Sequence, residues 1–271
     1  MDVVQPHRIR EIPYNYTSFS DREIVSRFLG GDAWQVIETL RTSRRTGISA
    51  RMLFEVLGDL WVVDRNPYLQ DDLLDNADRR GALIEAMGHR LAQIELRANG
   101  NPSVHELLSR ARTAVAAFEA WFPATLALRA QVRKRLAGIT HRDNIDFGGL
   151  ARVSHATDAT DWRVQNPFVV LIPDTEAEIQ PLVAACAELG LAIVPRGGGT
   201  GYTGGAIPLD ARTAVINTEK LESLGQVEMR MLPGVKVAVP TVQCGAGVVT
   251  RVVTALPDLG VPLYRCCSPV V

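Results

Sequence analysis

The sequence predicts an α+β protein, with a helical N-terminal domain over residues 1–150 and an α/β domain over residues 151–271. Apolar residues recur at helical spacing through most of the first domain. After about residue 150, short apolar runs of strand length alternate with a helical segment. With 46% hydrophobic and 22% charged residues in a chain of 271, the composition is that of a protein that can bury a core.

The bulk properties exclude several classes of protein. The formal net charge of -1 gives no basic field that would attract nucleic acid. Apolar runs such as residues 168–172 are too short to cross a membrane, and the N-terminus has no signal-peptide pattern. We therefore expect a cytosolic protein without a transmembrane segment. The four cysteines form no Cys-x-x-Cys pair that would hold zinc or an iron–sulfur cluster, and Cys186 falls in an apolar helical stretch where burial is expected.

The first three helices are predicted from the signals at their ends. Ser20 and Glu23 have the spacing of a capping box, and the glycine pair at residues 30–31 ends this first helix. Asp32 is expected to cap the second helix and Ser49 the third. The apolar face of the third helix contains Met52, Leu53, Val56, Leu57 and Leu60.

The remaining helices of the first domain are longer. One helical region is predicted over about residues 69–97, where an Asn-Gly pair follows. The next helix begins with Asn101 at the N-cap and Pro102 at the first helical position. Pro123 is expected to break this pattern, with one more helix following to about Leu136.

The second domain begins with a strand, a helix and a strand, which is the pattern of a βαβ unit. The helix opens at residues 174–176 and ends at Gly190. Its expected apolar face is formed by Ile179, Leu182, Val183, Cys186 and Leu189. Four strands are predicted, over residues 168–172, 192–195, 213–217 and 240–245. Another helix is expected to start within residues 248–256.

A glycine-rich segment at residues 195–205 separates the second and third predicted strands, and six of its eleven residues are glycine. Glycine adopts positive φ freely, which we expect at Gly199 and Gly201, and it has no side chain to keep a ligand away from the backbone. Successive N–H groups can then turn inward and form an anion-binding concavity, to which the hydroxyls of Thr200 and Thr203 add donors. A flexible surface loop is the other interpretation, but this segment directly follows a predicted buried strand.

Two phosphate-binding motifs are excluded by the residues that follow. Gly199, Gly201 and Gly204 satisfy G-x-G-x-x-G, but the dinucleotide fingerprint must open a helix, and here a strand is predicted after residues 206–210. A Walker A loop needs a Gly-Lys-Ser/Thr ending, and this segment contains no lysine.

The segment Pro-Arg-Gly-Gly-Gly-Thr-Gly-Tyr-Thr-Gly-Gly resembles the pyrophosphate loop of FAD-linked oxidases of the vanillyl-alcohol-oxidase type, and within them the D-lactate and glycolate dehydrogenase group. Residues 158–167, 173–179 and 242–248 resemble the segments that flank the flavin site in that family. Residues 10–19 and 66–69 resemble an uncharacterised helical region fused ahead of the FAD domain in large bacterial oxidoreductases. Those proteins continue into a substrate-cap domain and an iron–sulfur domain.

The resemblance implies that residues 151–271 are a partial FAD-binding domain of the PCMH type, with FAD as the cofactor. It also implies that the full-length parent is an oxidoreductase whose flavin takes a hydride from a small 2-hydroxy acid such as D-lactate or glycolate. It assigns no catalytic residue. The residues that match the pyrophosphate-binding motif are Arg196, Gly197, Gly198, Gly199, Thr200, Gly201, Thr203, Gly204 and Gly205.

The sequence also departs from the family pattern. Members complete the flavin site with a second subdomain that brings a glycine- and asparagine-rich segment against the isoalloxazine ring, and no segment here matches it. We therefore expect this chain alone to bind FAD poorly and to show no steady turnover. The alternative is a truncated non-catalytic fragment, or a helical interaction module without a working flavin site, which the flavin absorbance spectrum would distinguish.

Three other polar features of the sequence each have two interpretations. His155 lies near Asp158 in sequence, where a proton relay is conceivable, but a polar turn with local side-chain caps is favoured. Arg196 could offset the charge of a pyrophosphate or could point to solvent, and the sequence does not choose between these. A basic cluster on the N-terminal helices is interpreted as a solvated face; it consists of Arg41, Arg44, Arg45 and Arg51.

Overall fold

The computed structural model describes residues 21–42, 47–160 and 162–248. The chain divides into two compact units between Ala130 and Gln131. The domain boundary that the sequence predicts near residue 150 lies further along the chain and stays a prediction. The predicted fold class is confirmed, since the N-terminal unit is helical and the C-terminal unit contains a mixed sheet.

The N-terminal unit is built from amphipathic helices that pack their apolar faces together. Its central core contains Val56, Leu57, Leu60, Met87 and Ala111, each nearly inaccessible to solvent. Val56, Leu57 and Leu60 recur at the spacing that the sequence predicts for one helical face. The helices are α1 (Asp21–Leu29), α2 (Ala33–Thr42), α3 (Ile48–Arg65), α4 (Pro67–Asp75), α5 (Ala77–Leu96) and α6 (Pro102–Leu136), of which α6 extends into the C-terminal unit.

Several predicted helix ends are confirmed. Gly30 follows α1 with a φ of 97°, as a glycine at a helix C-terminus often does. Asp32 directly precedes α2, and its carbonyl oxygen accepts from the N–H of Gln35 at 3.0 Å. Before α6, the Oδ1 atom of Asn101 accepts from the N–H of Ser103 at 3.0 Å, which satisfies a donor of the first turn. The predicted cap Ser20 lies outside the described residues.

Three predicted boundaries in this unit are wrong. The third helix begins at Ile48 with Gly47 as its N-cap, so Ser49 lies inside the first turn. The helical region predicted over 69–97 is two helices, because the Asn76 side chain accepts from the N–H of Arg79 at 3.0 Å and caps a new helix. Pro123 lies inside a continuous helix. The loss of one backbone N–H donor is tolerated there because apolar residues on the same helix face are buried both before and after Pro123.

The C-terminal unit contains a four-stranded sheet and two helices. The strands are β1 (Ile145–Asp146), β2 (Val169–Leu171), β3 (Ala192–Arg196) and β4 (Thr213–Asn217), and the helices are α7 (Gly149–Ser154) and α8 (Ile179–Glu188). The strands lie in the order β1-β2-β4-β3. Both β2 and β3 pair in parallel with β4, whose five residues are all buried, and β1 adds an antiparallel edge. The predicted βαβ pattern is therefore confirmed.

The helix α8 packs one face on this sheet and differs from the prediction at one position. Leu182 and Cys186 are buried as expected, and burial raises the pKa of the Cys186 thiol to about 11. Val183 is 38% exposed, and Ala185 is buried on that face instead. The helix ends at Gly190, whose φ of 65° agrees with the predicted stop.

Beyond β4 the chain forms a two-stranded antiparallel ribbon, β5 (Glu228–Arg230) with β6 (Val239–Thr241). The fourth predicted strand, over 240–245, is therefore only partly correct, because past Thr241 only an isolated bridge joins Cys244 to Leu224. The helix predicted from residue 248 lies outside the described residues apart from Val248 itself. None of the helices described by the structure is both long and apolar enough to span a membrane.

Candidate functional site

The glycine-rich loop lies at the carboxyl ends of two parallel strands. It leaves β3 at Arg196 and returns to the sheet at Thr213, the first residue of β4. Arg196 is paired in register with Asn217, so the last residues of both strands lie side by side. Crevices at the carboxyl ends of parallel strands are the usual ligand sites of such sheets. No helix follows the loop before β4, so the exclusion of a dinucleotide fingerprint is confirmed.

The loop glycines differ in their backbone conformation and in the space available for a side chain. Gly199 and Gly204 have φ of 66° and 75°, where an L-amino acid is strained. A Cβ atom at Gly204 would also lie 3.4 Å from Cε3 of Trp162. Gly201 does not have a positive φ, contrary to expectation, and a Cβ atom there would meet only Asp158 Oδ2, at 4.0 Å. Conformation therefore requires glycine at 199 and 204 but not at 201.

The N–H groups of the loop are available to a ligand. Within the described part of the chain, those of Gly197, Gly198, Gly199 and Gly201 donate no hydrogen bond to any protein group. Three of these glycines are half-buried, so bulk water does not surround them. Buried or partly buried N–H groups nearly always have a partner, and several unpaired donors on one short loop indicate an anion site.

A second glycine segment, residues 243–247, packs closely on the chain that follows β4. The N–H of Gly245 donates to Ser223 O at 2.7 Å, and that of Gly247 donates to Leu221 O at 2.9 Å. A Cβ atom at Gly247 would overlap the carbonyl oxygen of Thr218. Glycine is required here because two backbone segments approach each other.

A cavity of about 360 Å³ brings the two glycine segments together. The start of the loop contributes Arg196, Gly197 and Gly198, and the later turn contributes Gly247. The other predicted site residues are outside its described lining; they are Gly199, Thr200, Gly201, Thr203, Gly204 and Gly205. Sequence reasoning missed the remaining lining residues, which are Ser154, Asn217, Glu219 and Glu222, and left His155 as a polar turn residue. Asn217 had a usable signal, because it is a polar residue that ends a fully apolar run.

His155 forms part of the cavity wall in a defined protonation state. Its Nε2 atom lies 2.9 Å from Nδ2 of Asn217, and its Nδ1 atom lies 2.8 Å from Ala151 O. The amide nitrogen can only donate, so Nε2 accepts and Nδ1 carries the proton that is donated to Ala151 O. Burial lowers the pKa of His155 and favours this neutral form. These contacts agree with the polar-turn interpretation, in which His155 ends α7.

Arg196 is half-buried and does not point freely to solvent, whereas its compensation of a pyrophosphate charge stays a prediction. Its Nη1 donates to Thr157 O at 2.5 Å, and its Nη2 lies 3.4 Å from Ser154 O. Burial lowers the pKa of Arg196, and the nearby Asp158 carboxylate opposes that shift. The Oδ1 atom of Asp158 accepts from the Thr160 hydroxyl at 2.6 Å, whereas its Oδ2 is buried without a hydrogen-bond partner among the described residues. The loop therefore adjoins a half-buried guanidinium that has a carboxylate nearby.

Comparisons with known proteins agree with this geometry. Residues 167–255 match the FAD binding domain family, and residues 7–120 match a family described as "Protein of unknown function (DUF3683)". "Glycolate oxidase subunit GlcD" of Bacillus subtilis (strain 168) is 32% identical over 79 residues, which are 29% of this chain and 17% of that protein. "Probable D-lactate dehydrogenase, mitochondrial" of Danio rerio is 31% identical over 84 residues, which are 31% of this chain and 17% of that protein. The chain thus corresponds to only 17% of the length of each relative.

Two solved structures are distantly similar. p-Cresol methylhydroxylase with substrate bound has a TM-score of 0.35 at 16% identity, covering 47% of this chain and 24% of its own. Alkyldihydroxyacetonephosphate synthase has a TM-score of 0.33 at 21% identity, covering 36% of this chain and 21% of its own. These two scores are too low to support an argument, and the family match stands on the sequence and the loop. The predicted resemblance is confirmed by that match, since residues 167–255 match the FAD binding domain family and the two relatives are named as a glycolate oxidase subunit and a D-lactate dehydrogenase.

Proposed function

We propose that this chain is the FAD-binding portion of a flavin-dependent oxidoreductase that acts on a small 2-hydroxy acid such as D-lactate or glycolate. The observation that carries the proposal is the set of unpaired N–H groups on the loop between β3 and β4, inside a domain of the FAD-binding family. The substrate class is supported by the names of the two relatives, which refer to glycolate and D-lactate.

The loop fits a diphosphate better than any other part of FAD. The backbone N–H groups of Gly197, Gly198, Gly199 and Gly201 would donate to phosphate oxygens, because their charge-assisted hydrogen bonds to an anion are stronger than bonds to neutral acceptors. Beyond those four glycines, we assign Thr200, Thr203, Gly204 and Gly205 to diphosphate binding. Arg196 adjoins them and contacts carbonyl oxygens of Thr157 and Ser154.

The cavity also has acidic lining residues, which suit a part of the ligand other than the diphosphate. Glu219 and Glu222 both line it, and carboxylates so placed disfavour phosphate groups and favour hydroxyl or N–H donors. The neutral His155–Asn217 pair adds polar groups without adding charge. When bound, FAD would accept the hydride of the substrate, and the role of this chain is to hold and orient that cofactor.

Cofactor binding is tested by equilibrium dialysis of the 271-residue chain against FAD, which detects weak binding. ADP is expected to compete with FAD, because it carries the diphosphate that the loop recognises, whereas riboflavin, which has no phosphate, is expected to compete poorly. Competition by riboflavin but not by ADP would contradict a diphosphate loop. If the folded chain binds neither FAD nor ADP, the alternative of a non-catalytic fragment or helical interaction module is favoured.

The substrate class needs a separate test. Because the matched segments of 79 and 84 residues cover 17% of each relative, the assay uses an extended protein that carries residues 1–271 within a complete flavin domain. Under anaerobic conditions, D-lactate or glycolate is expected to bleach the visible absorbance of the flavin. L-lactate is the matched stereochemical control. The 271-residue chain alone is expected to give no steady turnover with a dye acceptor. Bleaching by neither D-lactate nor glycolate would refute the substrate class and leave the FAD assignment intact.

A further inference from the structure

The guanidinium of Arg196 contacts two separate parts of the site. Its nitrogen atoms donate to carbonyl oxygens of Thr157 and Ser154, at the end of α7 and just beyond it. A Cβ atom on Gly199 would overlap the same guanidinium, at only 2.5 Å from Cζ, so the group lies directly against the loop backbone. One side chain, half-buried, therefore connects the glycine loop to the end of a helix.

These contacts use properties that arginine has and lysine lacks. A planar guanidinium can lie flat against a glycine while its separate N–H groups reach two carbonyl oxygens, whereas lysine offers one compact ammonium group. The last carbonyl groups of a helix carry partial negative charge and favour a cation. The negative charge of the nearby Asp158 carboxylate also favours the charged guanidinium. One oxygen of that carboxylate is buried without a hydrogen-bond partner in the described residues.

The loop needs such a support. The N–H groups that would bind an anion make no main-chain hydrogen bonds within the described residues, so the usual backbone ladder does not fix their directions. A conformation held by side-chain contacts leaves those donors free for the ligand, but it depends on the contacts being kept.

We propose that Arg196 is a positioning residue, which fixes the glycine loop in its anion-binding conformation by joining Gly199 to the end of α7, and that its guanidinium does not itself bind phosphate. The proposal rests on the proposed function, because its consequence is the affinity for FAD. It predicts that the planar group, and not the positive charge alone, is what position 196 requires.

The experiment compares Arg196→Met and Arg196→Lys with a matched control, Arg212→Met. Arg212 also donates to a carbonyl oxygen at a helix end, that of Leu189 at 3.1 Å, but it precedes β4 at the other end of the sheet. Two quantities are measured on the 271-residue chain after circular dichroism confirms that each variant folds. One is the rate of chymotryptic cleavage after Tyr202, a loop residue that is 76% exposed, in the absence of ligand. The other is the affinity for FAD by equilibrium dialysis.

Both Arg196 variants are expected to be cleaved about fivefold or more faster than the wild type and the Arg212→Met control, because cleavage follows the population of the open loop. Both variants are expected to bind FAD about tenfold more weakly, because a smaller fraction of the molecules has the loop in its anion-binding conformation. Wild-type affinity in Arg196→Lys would show a charge contact with phosphate and overturn the proposal, as would unchanged cleavage in both variants. If the wild-type chain binds no FAD, the proposed function fails, and the cleavage rates alone decide whether Arg196 holds the loop.

Discussion

Replacing Gly199 with alanine is expected to damage the loop, whereas the same replacement at Gly201 is expected to be tolerated. Gly199 has a φ of 66°, and a side chain held at that angle costs about 1–2 kcal/mol. Its new Cβ atom would also overlap the Arg196 guanidinium. Gly201 has no positive φ, and its nearest foreign atom would be Asp158 Oδ2 at 4.0 Å, an ordinary contact. The two positions therefore form a matched pair within one loop.

The magnitude follows from the strain. If the folded C-terminal unit is destabilised by about 1–2 kcal/mol, amide hydrogen exchange in β4 should accelerate roughly five- to thirtyfold, because about 1.4 kcal/mol corresponds to tenfold. The buried strand β4 is the suitable reporter, since its exchange requires that unit to open. Gly201→Ala should slow exchange slightly, since alanine at a compatible backbone angle restricts the unfolded chain.

The affinity for FAD, measured by equilibrium dialysis, should follow the same order. Gly199→Ala is expected to lose about tenfold or more, because both the backbone geometry and the Arg196 contact are disturbed. Gly201→Ala is expected to stay within about threefold of the wild type. Equal behaviour of the two variants in both measurements would refute the reasoning, because it would mean that neither the backbone angle nor the guanidinium contact distinguishes these glycines.

Three further predictions follow from the described contacts. Gly201→Asp should weaken FAD binding more than its neutral isostere Gly201→Asn, because a carboxylate there would face both the diphosphate and Asp158 Oδ2; equal dialysis constants would contradict this. The folded pKa of His155 is lowered by burial, so the stability it contributes is present above its unfolded value of 6.5 and is lost as pH falls below it. Urea denaturation should show that loss in the wild type and less of it in His155→Gln. Asn101→Ala should cost about 1 kcal/mol of helix stability while Asn101→Ser costs little, as measured by urea denaturation, and equal losses would argue against the cap.

The sequence predicts the buried elements well because burial on both faces leaves a clear pattern. The strand β2 is fully buried and is predicted from an unbroken apolar run, and the predicted strand β4 is fully buried as well. The expectation that β3 is buried is wrong, because none of its five residues is buried and it forms an edge of the sheet. The strand β5 was not expected, because all three of its residues are exposed and show no alternation. A helix break is predicted at Pro123, but tertiary packing allows the helix to continue through that proline. No break is predicted at Asn76, but this asparagine caps a new helix, so the preceding helix ends there without a glycine.

The candidate site was predictable only in the part that is contiguous in sequence. The loop over residues 195–205 has a composition that points to an anion site by itself. The other walls of the cavity come from His155, Asn217 and Glu219, which are far apart along the chain and meet only because β4 pairs between β2 and β3. Local spacing contains no information about such a juxtaposition.

The loop shows how a segment can be ordered and still keep its donors for a ligand. Main-chain hydrogen bonds would order it but would use the N–H groups that an anion requires. The contacts found here are of another kind: Arg196 lies against Gly199, and the ring of Trp162 lies 3.4 Å from where a Cβ atom of Gly204 would be. Both contacts are made to glycines with positive φ, where the absence of a side chain lets a large group approach the backbone. These two glycines therefore allow both the loop conformation and the contacts that support it, whereas Gly201 has neither constraint.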